Sequence, residues 1–176
     1  MKVFSTWHYQ GAWFEFSGDR TALRSAIEAH LRQALQDPTG RLEVGESGPF
    51  WISAEKVHLS YSHTSGWAVL VFSKLHEIGV DLESASRKMS ESPLRIAERY
   101  FHEAEQATLL VEKSNPDRLH EAFLDLWLKK EAYGKLTRKG LRDSIHLKID
   151  SIPGVRFETI PVIPEGYRAQ IAYPVS

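Results

Sequence analysis

The chain has 176 residues, 42% hydrophobic and 26% charged, with 22 basic against 23 acidic side chains for a net charge of −1. That length makes one domain with a sizeable core, or two small halves, and the balanced charge supplies no bulk attraction to nucleic acid or membrane. The lack of cysteine excludes disulfides, thiolate metal sites and a cysteine nucleophile, and fits a reducing compartment. The opening "MKVFSTWHYQ" has no signal-peptide core, and no apolar run approaches the roughly 20 residues that span a bilayer, so a cytoplasmic protein is expected.

The aromatic, partly alternating "WHYQGAWFEF" predicts one strand, or two meeting at Gly11. Asp19 is placed to cap a helix through "TALRSAIEAHLRQAL", in which Leu23, Ala26, Ile27, His30, Leu31, Ala34 and Leu35 form one stripe at helical spacing. "DPTG" ends it. Extended pieces follow at "RLEVG" and "KVHLSYS", then a turn at "HTSG" and a buried strand at "WAVLVFS". "EIGVDLE" predicts another strand.

"SPLRIAERYFHEAEQATLLVEK" predicts a single helix after Pro93, with Ile96, Tyr100, Phe101, Ala104, Ala107 and Leu110 on one side. "NPD" breaks the chain before a second long helix, "RLHEAFLDLWLKKEAYGKLTRKG", which is expected to stop at Gly140. "SIHLKID", "VRFETIP" and "GYRAQIAYP" alternate like strands of an antiparallel sheet. The expectation is an α+β chain of two halves with similar layout, residues 1–74 and 75–176, joined near Ser73 to Ile78.

Three constellations carry chemistry. In "EIGVDLES", Ile78, Val80 and Leu82 face one way, and Asp81 and Glu83 stand side by side on the other. Such a pair alone is a common solvated face. It is also a site for a hard cation such as Mg²⁺, which takes oxygen ligands and cancels the repulsion. In "FLDLWLKKEAYGK", Phe123, Trp127, Glu131 and Lys135 are four apart, so Glu131 enters the continuation of an apolar stripe. A charge there calls for a partner or a metal, unless Glu131 and Lys135 are an ordinary surface pair. In "LSYSHTSGW", Ser62 and His63 stand where a strand meets a turn, a place for a phosphate or for a structural histidine. A serine hydrolase is not indicated, because the G-x-S-x-G elbow is missing.

Taken in order, "LSYSHTSGWAVLVFS", "IGVDLES", "RYFHEAEQATLL" and "WLKKEAYGK" resemble the signature of the 4'-phosphopantetheinyl transferases, in their larger, surfactin-type branch. The pattern of that branch runs S-H, then G-(I/V)-D-(I/V)-E, then W-x-x-K-E-(A/S)-x-x-K, and the likeness covers roughly residues 47 to 141. It extends more faintly to "DRTALRSAI" and "VIPEGYRAQIAYP". The resemblance implies transfer of the phosphopantetheine arm of coenzyme A to a serine of an apo acyl or peptidyl carrier protein, with release of adenosine 3',5'-bisphosphate. It implies an α+β pseudo-dimer, a pseudo-two-fold arrangement of two similar halves with coenzyme A in the cleft between them. Two halves in one chain make a monomer the simplest expectation.

By the same resemblance, Asp81, Glu83 and Glu131 ligate Mg²⁺, and Glu131 also serves as general base. Lys130 and Lys135 hold phosphate or the reacting carboxylate. Ser62, His63 and, in a looser alignment, Arg20 meet the nucleotide end of coenzyme A. Glu105 matches an acidic residue near the metal. Arg87, Lys88, Lys129, Arg138 and Lys139 offer a basic lip to an acidic carrier, or are ordinary solvated charge.

Two departures stand out. No lysine separates Gly48 from Pro49, where the branch often has G-K-P, so Lys56 or Arg41 is expected to substitute or coenzyme A affinity to fall. The N-terminal half is short for the branch, leaving part of the nucleotide rim missing or supplied by Lys2 and His8. The competing expectations are another Mg²⁺-dependent phosphoryl-transfer or phosphodiester-cleaving activity, and a non-catalytic relative that binds carrier protein or coenzyme A.

Overall fold

The computed structural model describes residues 1–160 and 164–175. Its first strands, β1 (Lys2–Ser5) and β2 (Gln10–Phe16), form a hairpin, and helix α1 (Arg20–Leu35) follows. Asp19 caps α1 as expected, its carboxylate accepting the N–H groups of Thr21 and Ala22 at 2.8 and 3.1 Å. Gln36 closes the helix in the left-handed conformation (φ 54°). Then come β3 (Arg41–Gly45), β4 (Gly48–Ile52), β5 (His58–Thr64), β6 (Gly66–Ser73) and β7 (Gly79–Ser84).

Strands β1-β2-β6-β5 make an antiparallel four-stranded sheet in that order. Alternation divides its side chains cleanly. Ala12, Phe14, Ala68, Leu70 and Phe72 pack with Leu23, Ile27 and Leu31 of α1 and with Leu42 and Trp51 of the β3–β4 ribbon. The intervening Trp13, Val69 and Val71 pack the other way, in one core with Val80, Leu82, Ile171 and Tyr173. Strand β6 is therefore apolar throughout because both of its faces are buried. That second core also crosses the boundary expected near residue 74.

The second sheet has three antiparallel strands in the order β7-β9-β8, with β8 at Val155–Thr159 and β9 at Tyr167–Pro174. The strand readings of "VRFETIP" and "GYRAQIAYP" hold within the described residues; Pro161, and Val162 and Ile163 of the fainter "VIPEGYRAQIAYP" likeness, lie outside them. The face opposite Val80 and Leu82 carries α4 (Pro116–Leu136), whose Ala132 and Leu136 rest on Ala172.

Several expectations are corrected. The single helix at 92–113 is two, α2 (Pro93–Tyr100) and α3 (Glu103–Val111). Phe101 is extended, and His102 starts a new helix by a capping box: its ring accepts the Ala104 N–H while Glu105 accepts the His102 N–H. Helix α4 stops at Leu136, before Gly140, because Arg138 turns left-handed (φ 59°) and the N–H groups of Lys139 and Gly140 both donate to the Gly134 carbonyl. "SIHLKID" is not a strand. It holds the end of the short helix α5 (Leu141–Ser144) and a 3₁₀ turn at Ile149–Ser151. The Leu147 carbonyl accepts from Lys130 Nζ of α4 and the Ile149 N–H donates to Glu105, so side chains satisfy backbone groups that a ladder would otherwise pair. Strands β1 and β4 have no counterpart among the sequence expectations.

Candidate active site

Strand β7 leaves the shared core at Gly79 and passes directly beneath α4. A Cβ at Gly79 would lie 2.5 Å from the Leu136 amide nitrogen, on a face already touching the Ala132 carbonyl oxygen. Only a residue without a side chain lets the helix cross so close. Two residues on, the same face presents Asp81, then Glu83. Glu131 and Lys135, one helical turn apart on α4, are set above them by that crossing. The glycine of "EIGVDLE" thus sets the site, a part that spacing along the sequence does not reveal.

Asp81 is buried, and its Oδ1 accepts two hydrogen bonds, from Ser62 Oγ of β5 at 2.8 Å and from Lys135 Nζ at 2.6 Å. Three elements therefore meet on one carboxylate. Burial above all, and the Asp81 charge next, push the Glu131 carboxyl above the usual range, with Lys135 and Arg87 pulling against them. Glu83 is engaged by Arg87, whose guanidinium carbon also lies 5.5 Å from the centre of the Trp127 ring. Asp81, Glu83 and Glu131 thus share one side of β7. Even so, among the described residues no three acidic or histidine side chains stand close enough together to hold a metal ion. Lys135 occupies Asp81 and Arg87 occupies Glu83.

Lys130 and Glu105 sit elsewhere. The Lys130 ammonium is fully buried, 2.7 Å from Glu105 Oε2, bonded to the Leu147 carbonyl at 2.6 Å and 4.7 Å from the centre of the Phe101 ring. Glu105 accepts in addition from the N–H groups of His102 and Ile149. Burial depresses the lysine against the pull of Glu105. A lysine with no exposed surface has no path to a phosphate, so the phosphate role expected for Lys130 is replaced by one of pinning α4 to α3 and the 3₁₀ turn. Glu105 is spent on the same lock rather than placed beside Asp81.

Strand β5 turns Ser62 and His63 to opposite faces. Ser62 reaches Asp81, while His63 packs 4.5 Å, centre to centre, from Phe16 and lines a cavity of about 200 Å³ with Arg20, Arg24 and Tyr61. Burial, then the charges of Arg20 and Lys135, hold His63 below the ordinary histidine range. Arg20, far away in sequence and only loosely aligned, is thereby brought beside His63. A larger cleft of about 470 Å³ runs from Gly48 and Pro49 past Tyr61 to Lys135, Arg138 and Lys139. Opposite the Gly48–Pro49 junction it is Arg138 and Lys139, not Lys56 or Arg41, that line this cleft. Arg138 also bonds Glu77 at 3.2 Å.

These features define a mixed α+β protein in which a strand of carboxylates, a helix-borne lysine and carboxylate, and two cation-lined hollows adjoin. Residues 77–170 match the 4'-phosphopantetheinyl transferase superfamily, and the chain belongs to it. It is 32% identical over 117 residues to the 4'-phosphopantetheinyl transferase gsp of Aneurinibacillus migulanus, a stretch covering 65% of this chain and 46% of that protein. To the 4'-phosphopantetheinyl transferase psf-1 of Bacillus pumilus it is 35% identical over 98 residues, 55% of this chain and 39% of that protein. The matched stretches span less than half the length of either relative.

Proposed function

We propose that the chain is a Mg²⁺-dependent phosphopantetheinyl transferase of the larger, surfactin-type branch. It moves the 4'-phosphopantetheine arm of coenzyme A to a serine of an apo acyl or peptidyl carrier protein and releases adenosine 3',5'-bisphosphate. The observation that carries this reading is the meeting of Ser62, Lys135 and Asp81 on one carboxylate beside a Glu131 whose proton affinity is raised. The reading includes residues 1–74 and 75–176 as two halves related by a pseudo-two-fold, with coenzyme A between them. It also includes a monomeric, cytoplasmic enzyme. Among the described residues no helix is long and apolar enough to cross a membrane.

Asp81, Glu83 and Glu131 are the residues that would hold Mg²⁺. All are hard oxygen donors, the kind such a cation takes, and burial, then the Asp81 charge, raise the Glu131 carboxyl. A bound cation supplies charge neutralisation on the pyrophosphate under attack and on the phosphate that leaves. Lys135, partly exposed above Asp81, exchanges that carboxylate for a phosphate oxygen. Glu131 accepts the proton of the carrier serine hydroxyl, directly or through water, a role suited by a carboxylate more basic than usual. Arg20 and His63 face the 3'-phosphate from their shared cavity, and Arg138 and Lys139 supply the cations absent between Gly48 and Pro49. Ser62 holds Asp81 in place at the nucleotide edge.

The test is incubation with coenzyme A, Mg²⁺ and a panel of apo carrier proteins, read by intact mass. The expected outcome is a gain of one phosphopantetheine on a carrier, lost with Asp81→Ala. Coenzyme A binding with no gain on any carrier would indicate the non-catalytic relative instead.

A further inference from the structure

Glu83 is mostly buried, yet its carboxylate is already committed to a cation of the chain itself. Arg87 reaches it from the turn that follows β7, the two side chains being 34% and 15% exposed. An exposed arginine in such a turn would ordinarily sample solvent. Here its turn is pinned and its side chain is held between Glu83 and the Trp127 ring. The turn is pinned by Ala85 N–H donating to the Gly166 carbonyl, by Arg87 N–H donating to Ser84, and by a contact between His120 and the Ala85 carbonyl at 2.9 Å. The guanidinium lies over Trp127, and Trp127 is itself stacked on Phe123, which stacks on the buried Phe101. The shelf beneath the arginine is therefore part of the core.

We infer that Arg87 is a tethered counter-ion for Glu83, which a divalent cation must displace and which thereby sets the cation affinity of the site. This rests on the proposed metal role of Asp81, Glu83 and Glu131. The guanidinium cannot lose its proton near neutral pH, so it does not leave by titration. It is driven off only by a better cation, and a dication with three oxygen donors is one. Until then Arg87 holds the Glu83 carboxylate in place, and its charge reaches Glu131 as well. The same commitment removes Arg87 from the basic lip expected to face a carrier.

The experiment is titration of Mn²⁺, an octahedral oxygen-preferring stand-in visible by electron paramagnetic resonance, into the full chain without coenzyme A. Arg87→Ala and Arg87→Gln should each bind Mn²⁺ about fivefold more tightly than the parent, the scale of a partly exposed ion pair removed as competitor. Arg87→Lys, which keeps the charge but not the fork over Trp127, should fall between. Thermal melting confirms that each variant is folded, and two neutral replacements guard against one that is not. Unchanged or weaker Mn²⁺ binding in both neutral variants would overturn the inference. Asp81→Ala tests the metal reading separately: it should abolish binding, and Mn²⁺ binding that survives it would sink that reading and this inference with it, whereas unchanged affinity in the Arg87 variants sinks the inference alone. A parent chain that takes up no Mn²⁺ would sink both.

Discussion

Lys130 and Lys135 lie on the same helix, each bonded to a carboxylate at nearly the same distance, 2.7 Å to Glu105 and 2.6 Å to Asp81. The first ammonium has no exposed surface, whereas the second is 31% exposed beside a cleft. Geometry of the pair alone does not separate them; surroundings do. Lys130 is closed in by Phe101, the Leu147 carbonyl and the backbone bonded to Glu105, so neither partner can leave without stranding a charge. Lys135 is partly exposed and can swing from Asp81 into water, with Ser62 left bonded to the buried carboxylate. One lysine is a lock on α4; the other is a half-open contact at the edge of the cleft.

The largest effect comes from breaking the lock. Lys130→Met leaves Glu105 buried and unpaired, and should cost about 3–5 kcal/mol in urea unfolding. Pairing it with Glu105→Leu should recover most of that loss. A Lys130→Met cost no larger than that of a surface pair would mean the lysine is not sealed.

Gly79→Ala attacks the contact that sets the distance between the two sides of the site. Its methyl group meets the α4 backbone and should cost about 1–3 kcal/mol as the helix is forced away. On the proposed function, phosphopantetheine transfer should fall with it, because Glu131 and Lys135 move off Asp81. Stability lost without any change in transfer would show that the crossing does not position the site.

The open lysine should behave in the opposite way. Lys135→Met should cost less unfolding free energy than Lys130→Met, because its own ammonium is partly exposed and Ser62 still bonds the buried Asp81, yet on the proposed function it should lower transfer by roughly 10²-fold or more, the usual scale for losing one preorganised charge contact. Equal losses of stability and activity would erase the distinction between the two lysines.

The smallest effect concerns His30, buried between Phe14 and Phe72. Burial holds its ring below the ordinary value of 6.5, so the unfolded chain binds a proton more readily than the folded one. Its contribution to stability is present above 6.5 and is lost as the pH falls from there through the lower folded value. His30→Phe should therefore flatten the loss of stability on mild acidification, measured by urea unfolding at a series of pH values.

Much of the site was legible before folding was considered. The spacing of Asp81 with Glu83, and of Glu131 with Lys135, already placed each pair on one face of its element. Asp19 marked the start of α1, and the apolar run of β6 announced a buried strand, which the fold covers on both faces. The split at His102 was less visible because a histidine cap interrupts no periodicity: Phe101 and Ala104 keep the helical stripe while the backbone between them turns out of the helix. "SIHLKID" alternates as a strand would, but its backbone partners include the side chains of Glu105 and Lys130, residues that no local window contains.

Sequence by itself determined the residue types and their local faces: a strand with two adjacent carboxylates, a helix carrying a third beside a lysine, and a Ser-His pair near the end of a strand. Those follow from the periods of two and 3.6 residues that backbone geometry imposes. Tertiary structure alone decided which neighbour each charge obtained. It sealed Lys130 with Glu105, set Lys135 and Ser62 on Asp81, turned Arg87 onto Glu83 and drew Arg20 to His63. Neighbouring residues in a helix or strand point in different directions, so the partner of a buried charge depends on which element crosses it. Here that crossing is fixed by a missing side chain at Gly79.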